Sequence, residues 1–289
     1  MTAVIFRRRR LGLTSCRGIV GAMEERATYA RADQPRRWPD DTSLVIRWGC
    51  TARIPVECNR VLNSVDAIHF VNNKSAFRIL LDEHGLCPRT WVHEGEQILD
   101  IRAYYDRFPV VVRPNQHAQG RMLFVCNDAD ELSEAVRRCG PYWYASELID
   151  KSAEYRVFVA QGRAVWVARK TPGNPGDVAW NVAQGGRFDN VRWGDWPLKV
   201  VKNAIEAFNL SGLDFGGVDV IVDADGNPYT IEINSAPSQT SPYRQGCVAR
   251  VFDYIVRNGK GNIPLITERG GWRKFIHPAL SEETQVGDT

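Results

Sequence analysis

Residues 212–238 read GLDFGGVDVIVDADGNPYTIEINSAPS, and this segment constrains the fold more than any other. Two apolar, alternating runs, Gly217–Asp223 and Tyr229–Asn234, flank Ala224-Asp225-Gly226-Asn227, which has the composition of a turn. The pattern predicts a β-hairpin. With those four residues as the loop, Asp223 faces Pro228, and counting back sets Asp219 opposite Glu232. Alternation with period two then gathers Asp219, Glu232 and Asn234 on one face. Facing carboxylates repel unless a cation lies between them, and such an oxygen set suits Mg2+ or Mn2+ shared with substrate phosphates. An ordinary amphipathic hairpin with solvated acids is the alternative. Against it, the flanking strands are apolar, and acids on the inward face of such a hairpin need a partner.

The chain has 289 residues, enough to bury a large core and to hold two or three subdomains. A net charge of +3 is too small to argue for nucleic acid. The basic run Arg7–Arg10 reads as a solvated loop and leaves open a contact with an acidic partner. Seven scattered cysteines, odd in number and without a C-x-x-C, argue against a zinc ribbon or a disulfide framework. They fit a reducing, cytoplasmic compartment. No apolar run approaches about 18 residues, and no apolar segment follows the N-terminal charges. Neither a membrane span nor a signal peptide is therefore expected.

Along the chain, Thr2–Phe6, Ser43–Trp48 and Ala67–Val71 read as strands, with a helix over roughly Arg17–Ala30. These make a small α/β unit over 1–72. Asn72 or Asn73 caps a helix Lys74–His84, closed by Gly85. A helix over Gln97–Arg107, strands Phe108–Arg113, Arg121–Cys126 and Tyr142–Ile149, and a helix opened by the capping box Asp128-x-x-Glu131 complete a second unit, 73–149. The third unit, 150–289, begins with a hairpin, Glu154–Ala160 and Ala164–Lys170, turning at Gln161-Gly162. Parity puts Glu154, Arg156 and Arg169 on one face, either to bind a ligand or as a mutual ion pair at the rim. Pro172–Gly186 is a long Gly-, Pro- and Asn-rich loop of the kind that serves as a lid. Helices over Pro197–Phe208 and Arg244–Arg257 flank the first hairpin.

The segments NKSAFRILLDEHGLCPRTW (73–91), FPVVVRPNQHAQGRMLFV (108–125), YASELIDKSAEYRVFVAQGRAVWVARK (144–170), NVAQGG (181–186) and the opening hairpin follow a familiar order. Together they resemble the ATP-grasp superfamily, in particular its carboxylate–amine ligases of the ribosomal-protein glutamate-ligase and glutathione-synthetase type. The resemblance implies an α/β fold, with two α+β subdomains clamping ATP behind a small α/β N-terminal domain. It implies Lys74 on an ATP phosphate, Glu147 beside the adenine amino group, and Leu148 and Ile149 as hinge backbone contacts. Lys151 and Glu154 would lie near ribose and adenine. Arg156 and Arg169 would face the transferred phosphoryl group and the carboxylate substrate. Asn181 would stand by phosphates and metal, and Asp219, Glu232 and Asn234 would hold two Mg2+ ions, or Mn2+. The chain departs from the pattern in two places. Arg113 replaces the strand lysine that contacts phosphate, keeping the charge but not the shape. The phosphate loop keeps only Gly120, with His117, Gln119 and Arg121 filling it. An exposed loop histidine is the plainer reading of His117.

The chemistry implied is phosphoryl transfer from ATP to a carboxylate, then attack on the acyl phosphate by an amine, giving an amide, ADP and phosphate. Residues 115–121 and 172–186 are candidate lids excluding water. Arg47, at the end of a strand, is a candidate carboxylate anchor or simply an arginine beside a buried tryptophan. The substrates expected are a small-molecule or peptide carboxylate and an amine. A modified macromolecular substrate and a homo-oligomer stay open, and no membrane partner is expected. The rival readings are an ATP-grasp small-molecule kinase, a catalytically silent nucleotide-binding scaffold and, weakest, a nucleic-acid binder through Arg7–Arg10 and Arg36–Arg37.

Overall fold

A computed structural model describes residues 1–8, 12–34, 38–95, 106–115, 122–174, 180, 185–261 and 263. Three sheets organise the described residues. The first is parallel, in the order β2-β1-β3-β4, from β1 (Thr2–Arg7), β2 (Ala27–Arg31), β3 (Thr42–Trp48) and β4 (Val61–Leu62). Its central strand β1 is buried at every position, as a parallel strand covered on both faces must be. The second sheet is antiparallel, in the order β5-β8-β6-β7, from β5 (Thr90–Glu94), β6 (Val110–Pro114), β7 (Phe124–Cys126) and β8 (Tyr142–Glu147). The third is antiparallel, in the order β11-β10-β9-β12-β13, from β9 (Lys151–Ala160), β10 (Arg163–Thr171), β11 (Arg187–Asn190), β12 (Phe215–Asp223) and β13 (Pro228–Asn234). The helices are α1 (Leu13–Ala22), α2 (Val65–Asn72), α3 (Lys74–Glu83), α4 (Ala129–Cys139), α5 (Leu198–Asn209) and α6 (Pro242–Asn258).

Three expectations about the N-terminal unit change. The first helix starts earlier and stops at Ala22, and the parallel strand β2 takes the residues beyond it. The stop is tertiary: the Asp253 carboxylate of α6 accepts from the backbone N–H groups of Glu24 and Glu25, at 2.9 and 3.0 Å. Ala67–Val71 is helical, within α2, because the Ser64 hydroxyl caps the Ala67 N–H at 3.1 Å. A short apolar run does not by itself separate strand from helix, and the cap decides here. The fourth strand of that sheet is the two-residue β4. The helix expected over Gln97–Arg107 lies almost wholly outside the described residues.

The third sheet is sandwiched. On one face, Val157, Val159, Val218 and Val220 pack against α5 and α2. On the other, Phe158, Trp166 and Phe215 pack against α6 and the first sheet. Trp48, from the end of β3, stacks on Phe215 at 5.4 Å, and Phe252 of α6 meets the same ring edge-on at 5.1 Å. Each such fully buried side chain contributes about 1.5–3 kcal/mol. These contacts seat the parallel sheet on the apolar Phe215 end of the large one. Close approach is reinforced at Gly49 (φ +63°), where a Cβ would lie 2.7 Å from the Ala236 Cβ, just after β13. The small sheet carries its own core with α4, around Val110, Val112, Leu132 and Trp143.

Candidate active site

Cross-strand register builds the site as rows on the third sheet. One row runs Phe188, Lys170, Glu154, Ile221, Tyr229. The next runs Asn190, Ala168, Arg156, Asp219, Glu232. A third holds Trp166, Phe158, Gly217 and Asn234. Asp219 thus faces Glu232, with Asn234 two residues along the same strand. The route to that pairing differs from the simple count. Pro228 faces Val222, not Asp223, and a bulge that leaves Ile231 unpaired restores the register at Asp219. At Gly217 a Cβ would come within 2.8 Å of the Pro237 Cβ, so glycine lets the loop after β13 fold over the row.

The charges in these rows are interlocked. The Arg156 guanidinium grips Asp219 with two bonds, Nε to Oδ1 at 2.5 Å and Nη2 to Oδ2 at 2.6 Å. Lys170 Nζ bridges Asp219 Oδ2 at 2.9 Å and Glu154 Oε1 at 2.5 Å. Lys151 Nζ holds the second Glu154 oxygen at 2.5 Å and lies 4.4 Å from the Trp180 ring centroid. Burial works against the Asp219 charge, but Arg156 and Lys170 outweigh it and hold the carboxyl well below the usual range. Burial pulls Lys151 below the ordinary lysine range despite Glu154. Arg156 is desolvated too, yet Asp219 raises it.

Glu232, at the sheet edge, accepts from Lys74 Nζ at 3.0 Å. Lys74 opens α3, whose first turn is tied to the end of β6. Asn115 Oδ1 accepts from the Ser75 N–H at 3.0 Å, and Asn115 Nδ2 donates to Asn73 Oδ1 at 3.2 Å. Arg113, on β6 opposite Tyr144, adds a cation that acts on Glu232, and burial lowers its pKa. Arg78, one turn after Lys74 and only 6% exposed, lies over the Tyr144 ring at 5.6 Å. Glu147 ends β8 and is exposed; burial and the Asp223 hydrogen bond raise the Tyr229 phenol of β13, with Glu147 adding a smaller push. Leu148 donates its N–H to the Pro109 carbonyl at 3.4 Å, and Leu148 and Ile149 are partly buried in the link from β8 to β9.

Two expected residues fall elsewhere. Arg169 pairs with Tyr155, lies on the opposite face from Glu154 and Arg156, and is exposed. The turn at Gln161-Gly162 forms as expected, but a bulge at Val165 shifts the register by one and brings Lys170 onto the site face instead. Ala164–Ala168 is buried at every position, so its apolar run gives no sign of where the bulge sits. Arg47 is buried and donates from Nη1 to the carbonyls of Cys50 and Ala52, at 2.9 and 2.8 Å, which makes it a loop brace and not a carboxylate anchor. Asn181, His117, Gln119, Gly120 and Arg121 lie outside the described residues, as do most positions of both proposed lids. Sequence reasoning also missed Arg78, Phe188 and Arg244. For Arg244 a signal existed: a cation in the first turn of a helix opposes the helix dipole.

The oxygen donors suit a hard divalent cation. Asp219 and Glu232 face each other on adjacent strands, Asn234 lies in the next row, and lysine ammonium groups now stand against the carboxylates. Among the described residues no cluster of three His, Cys, Asp or Glu side chains could hold a metal by itself. No helix among the described residues is long and apolar enough to cross a membrane.

The RimK-like ATP-grasp domain model matches residues 72–248. A probable alpha-L-glutamate ligase of Aeromonas salmonicida is 28% identical over 183 residues, covering 61% of this chain and 60% of that protein. A D-alanine–D-alanine ligase of Anaeromyxobacter dehalogenans is 32% identical over 230 residues, covering 75% and 72%. Among solved structures, the ATP complex of a D-alanine–D-alanine ligase from Bacillus anthracis superposes with a TM-score of 0.66 at 12% identity, covering 99% of each chain. The ATP-grasp ligase PsnB, complexed with a precursor peptide and AMPPNP, has a TM-score of 0.60 at 15% identity, covering 89% and 97%. With its rows of charge and its register now in place, the chain belongs to the RimK-like ATP-grasp family.

Proposed function

We propose that this protein is an ATP-dependent carboxylate–amine ligase that forms an amide through an acyl phosphate and releases ADP and phosphate. The observation that supports it most is the row Arg156, Asp219, Glu232, closed by Lys74 from α3 with Arg113 beside it. Two adjacent carboxylates are flanked there by cations, at the junction of the small and large sheets. A Mg2+-nucleotide, with anionic phosphates and a divalent metal, complements both signs at once.

In this reading Lys74 and Arg113 receive phosphates, while Lys151 and Glu154 border the ribose and adenine. Glu147, Leu148 and Ile149 form the adenine hinge, and Asn181 stands near the phosphates. Asp219, Glu232 and Asn234 hold Mg2+, two ions in the full assignment. The metal, when bound, neutralises charge on the transferring phosphoryl group. Arg156 and Lys170 orient Asp219 and neutralise the anionic transition state. Lys170 takes the part first given to Arg169. The substrates are a small-molecule or peptide carboxylate and an amine, and the three sheets correspond to three functional units, 1–72, 73–149 and 150–289.

The test is ADP release by the purified protein with Mg-ATP, against pooled amino acids and small carboxylates, with mass spectrometry of the products. ADP, phosphate and a new amide mass are expected. A phosphorylated product without amide would replace the ligase by a kinase.

A further inference from the structure

Arg244 is 5% exposed, yet among the described residues its hydrogen bonds go only to neutral groups. Nε donates to Asn190 Oδ1 at 2.7 Å and Nη2 to the Phe188 carbonyl at 3.0 Å. The guanidinium lies over the Trp166 and Phe188 rings, at 5.3 and 5.4 Å from their centroids. Trp166 and Lys170 flank Ala168 on β10, and Phe188 faces Lys170, so the guanidinium reaches the charged row beside its one small residue. Phe188 also carries Arg156 on its ring at 4.9 Å. The row therefore reads, in order, Arg244, Arg156, Asp219, Glu232, Lys74: two cations, two carboxylates and a cation.

That order leaves one charge over. Arg156 is matched by Asp219, and Glu232 by Lys74. Among the described residues Arg244 has no ion pair. The one carboxylate that acts on it, Asp189, accepts from Thr171 and Arg187 instead. A buried arginine beside another arginine, in a helix turn whose dipole disfavours it, is costly unless an anion completes it. Among the described residues Nη1 makes no hydrogen bond, and a planar guanidinium offers in-plane donors that match a carboxylate.

We propose that Arg244 anchors a spectator carboxylate of an amino-acid substrate, a group that takes no part in the bond formed. The inference rests on the ligase reading. Glu232 and Lys74, where the nucleotide phosphates belong, lie at the other end of the row from Arg244, with Arg156 and Asp219 between. The group bound at Arg244 is therefore neither the nucleotide nor the carboxylate being phosphorylated. The substrate is then one that keeps an anionic group beyond its reacting end.

The experiment is calorimetric binding of L-glutamate and D-alanine, and of their α-amides, to the full-length protein saturated with Mg-ADP. Wild type, Arg244→Met and Arg244→Lys are compared, with ADP release and melting temperature measured alongside. At least one amino acid should bind wild type about 10- to 100-fold more tightly than its amide. Arg244→Met should erase that difference while leaving Mg-ATP affinity within about twofold, and Arg244→Lys should restore part of it. A brace that only ties β11 to α6 would lower the melting temperature and leave the acid–amide preference intact. That result, equal binding of acid and amide, or no binding of either amino acid by wild type, overturns the assignment. ADP and amide formation that ignores Arg244→Met would leave the ligase and remove the anchor. An Arg244-dependent carboxylate preference without any ADP release would do the reverse.

Discussion

The hairpin β9–β10 and the edge strand β13 carry charges on one face of one sheet, yet they hold them differently. On the inner strands, Glu154 and Asp219 have side chains only 3% and 4% exposed, and each touches two cations. On β13, Glu232 is 31% exposed and pairs with a lysine from α3, outside the sheet. The inner charges form a closed set that sets geometry, and the edge charges are the ones a ligand can reach. Framework and ligand site thus share one row, with Asp219 belonging to both.

The largest effect should come from breaking the framework. Asp219→Ala strands Arg156 and Lys170 in a buried site and should cost about 3–5 kcal/mol of unfolding free energy, read by denaturant titration, with ADP formation abolished. Next, Lys170→Met should cost about 3 kcal/mol, whereas Arg169→Ala on the exposed opposite face should leave the unfolding midpoint nearly unchanged. Equal effects would erase the distinction between the two faces of β10. At the edge, Arg113→Ala should weaken Mg-ATP binding about tenfold in calorimetry, and Arg113→Lys should keep or improve it. A smaller effect is expected with pH. Asp219 has a folded-state pKa below its unfolded value, so its stabilisation is present above about pH 4 and is lost as pH falls through the folded pKa. The stability gap between wild type and Asp219→Asn should therefore narrow below about pH 4. Smallest of all, burial pushes the Cys16 thiol up to about 12, so it should resist thiol reagents at pH 8 in the native protein.

The two hairpins also explain what could be read in advance. For β12–β13 the expected loop was one residue too short, but the bulge at Ile231 cancelled the error, and Asp219 met Glu232. For β9–β10 the expected turn formed, yet the bulge at Val165 flipped the far end and exchanged Arg169 for Lys170. Parity counted from a turn holds only as far as the first bulge, and an apolar run such as Ala164–Ala168 conceals it. The α3 cap at Asn73 and the α4 cap at Asp128 were legible because their partners are local. The end of α1 was not, because the carboxylate that fixes the chain just beyond it, Asp253, comes from more than two hundred residues away. Arg47 was beyond reach for the same reason, and for Arg244 the first-turn cation could mark the residue but not its role: long-range packing decides whether a buried arginine braces a loop or faces a site.

The central claim is that the edge of this row is the Mg-ATP site of a ligase and is separable from the framework beside it. Glu232→Ala tests it most directly, with ADP release under Mg-ATP and thermal unfolding measured on the same protein. The account predicts a melting temperature close to wild type and no ADP formed. A Glu232→Ala protein that still turns over ATP would contradict it.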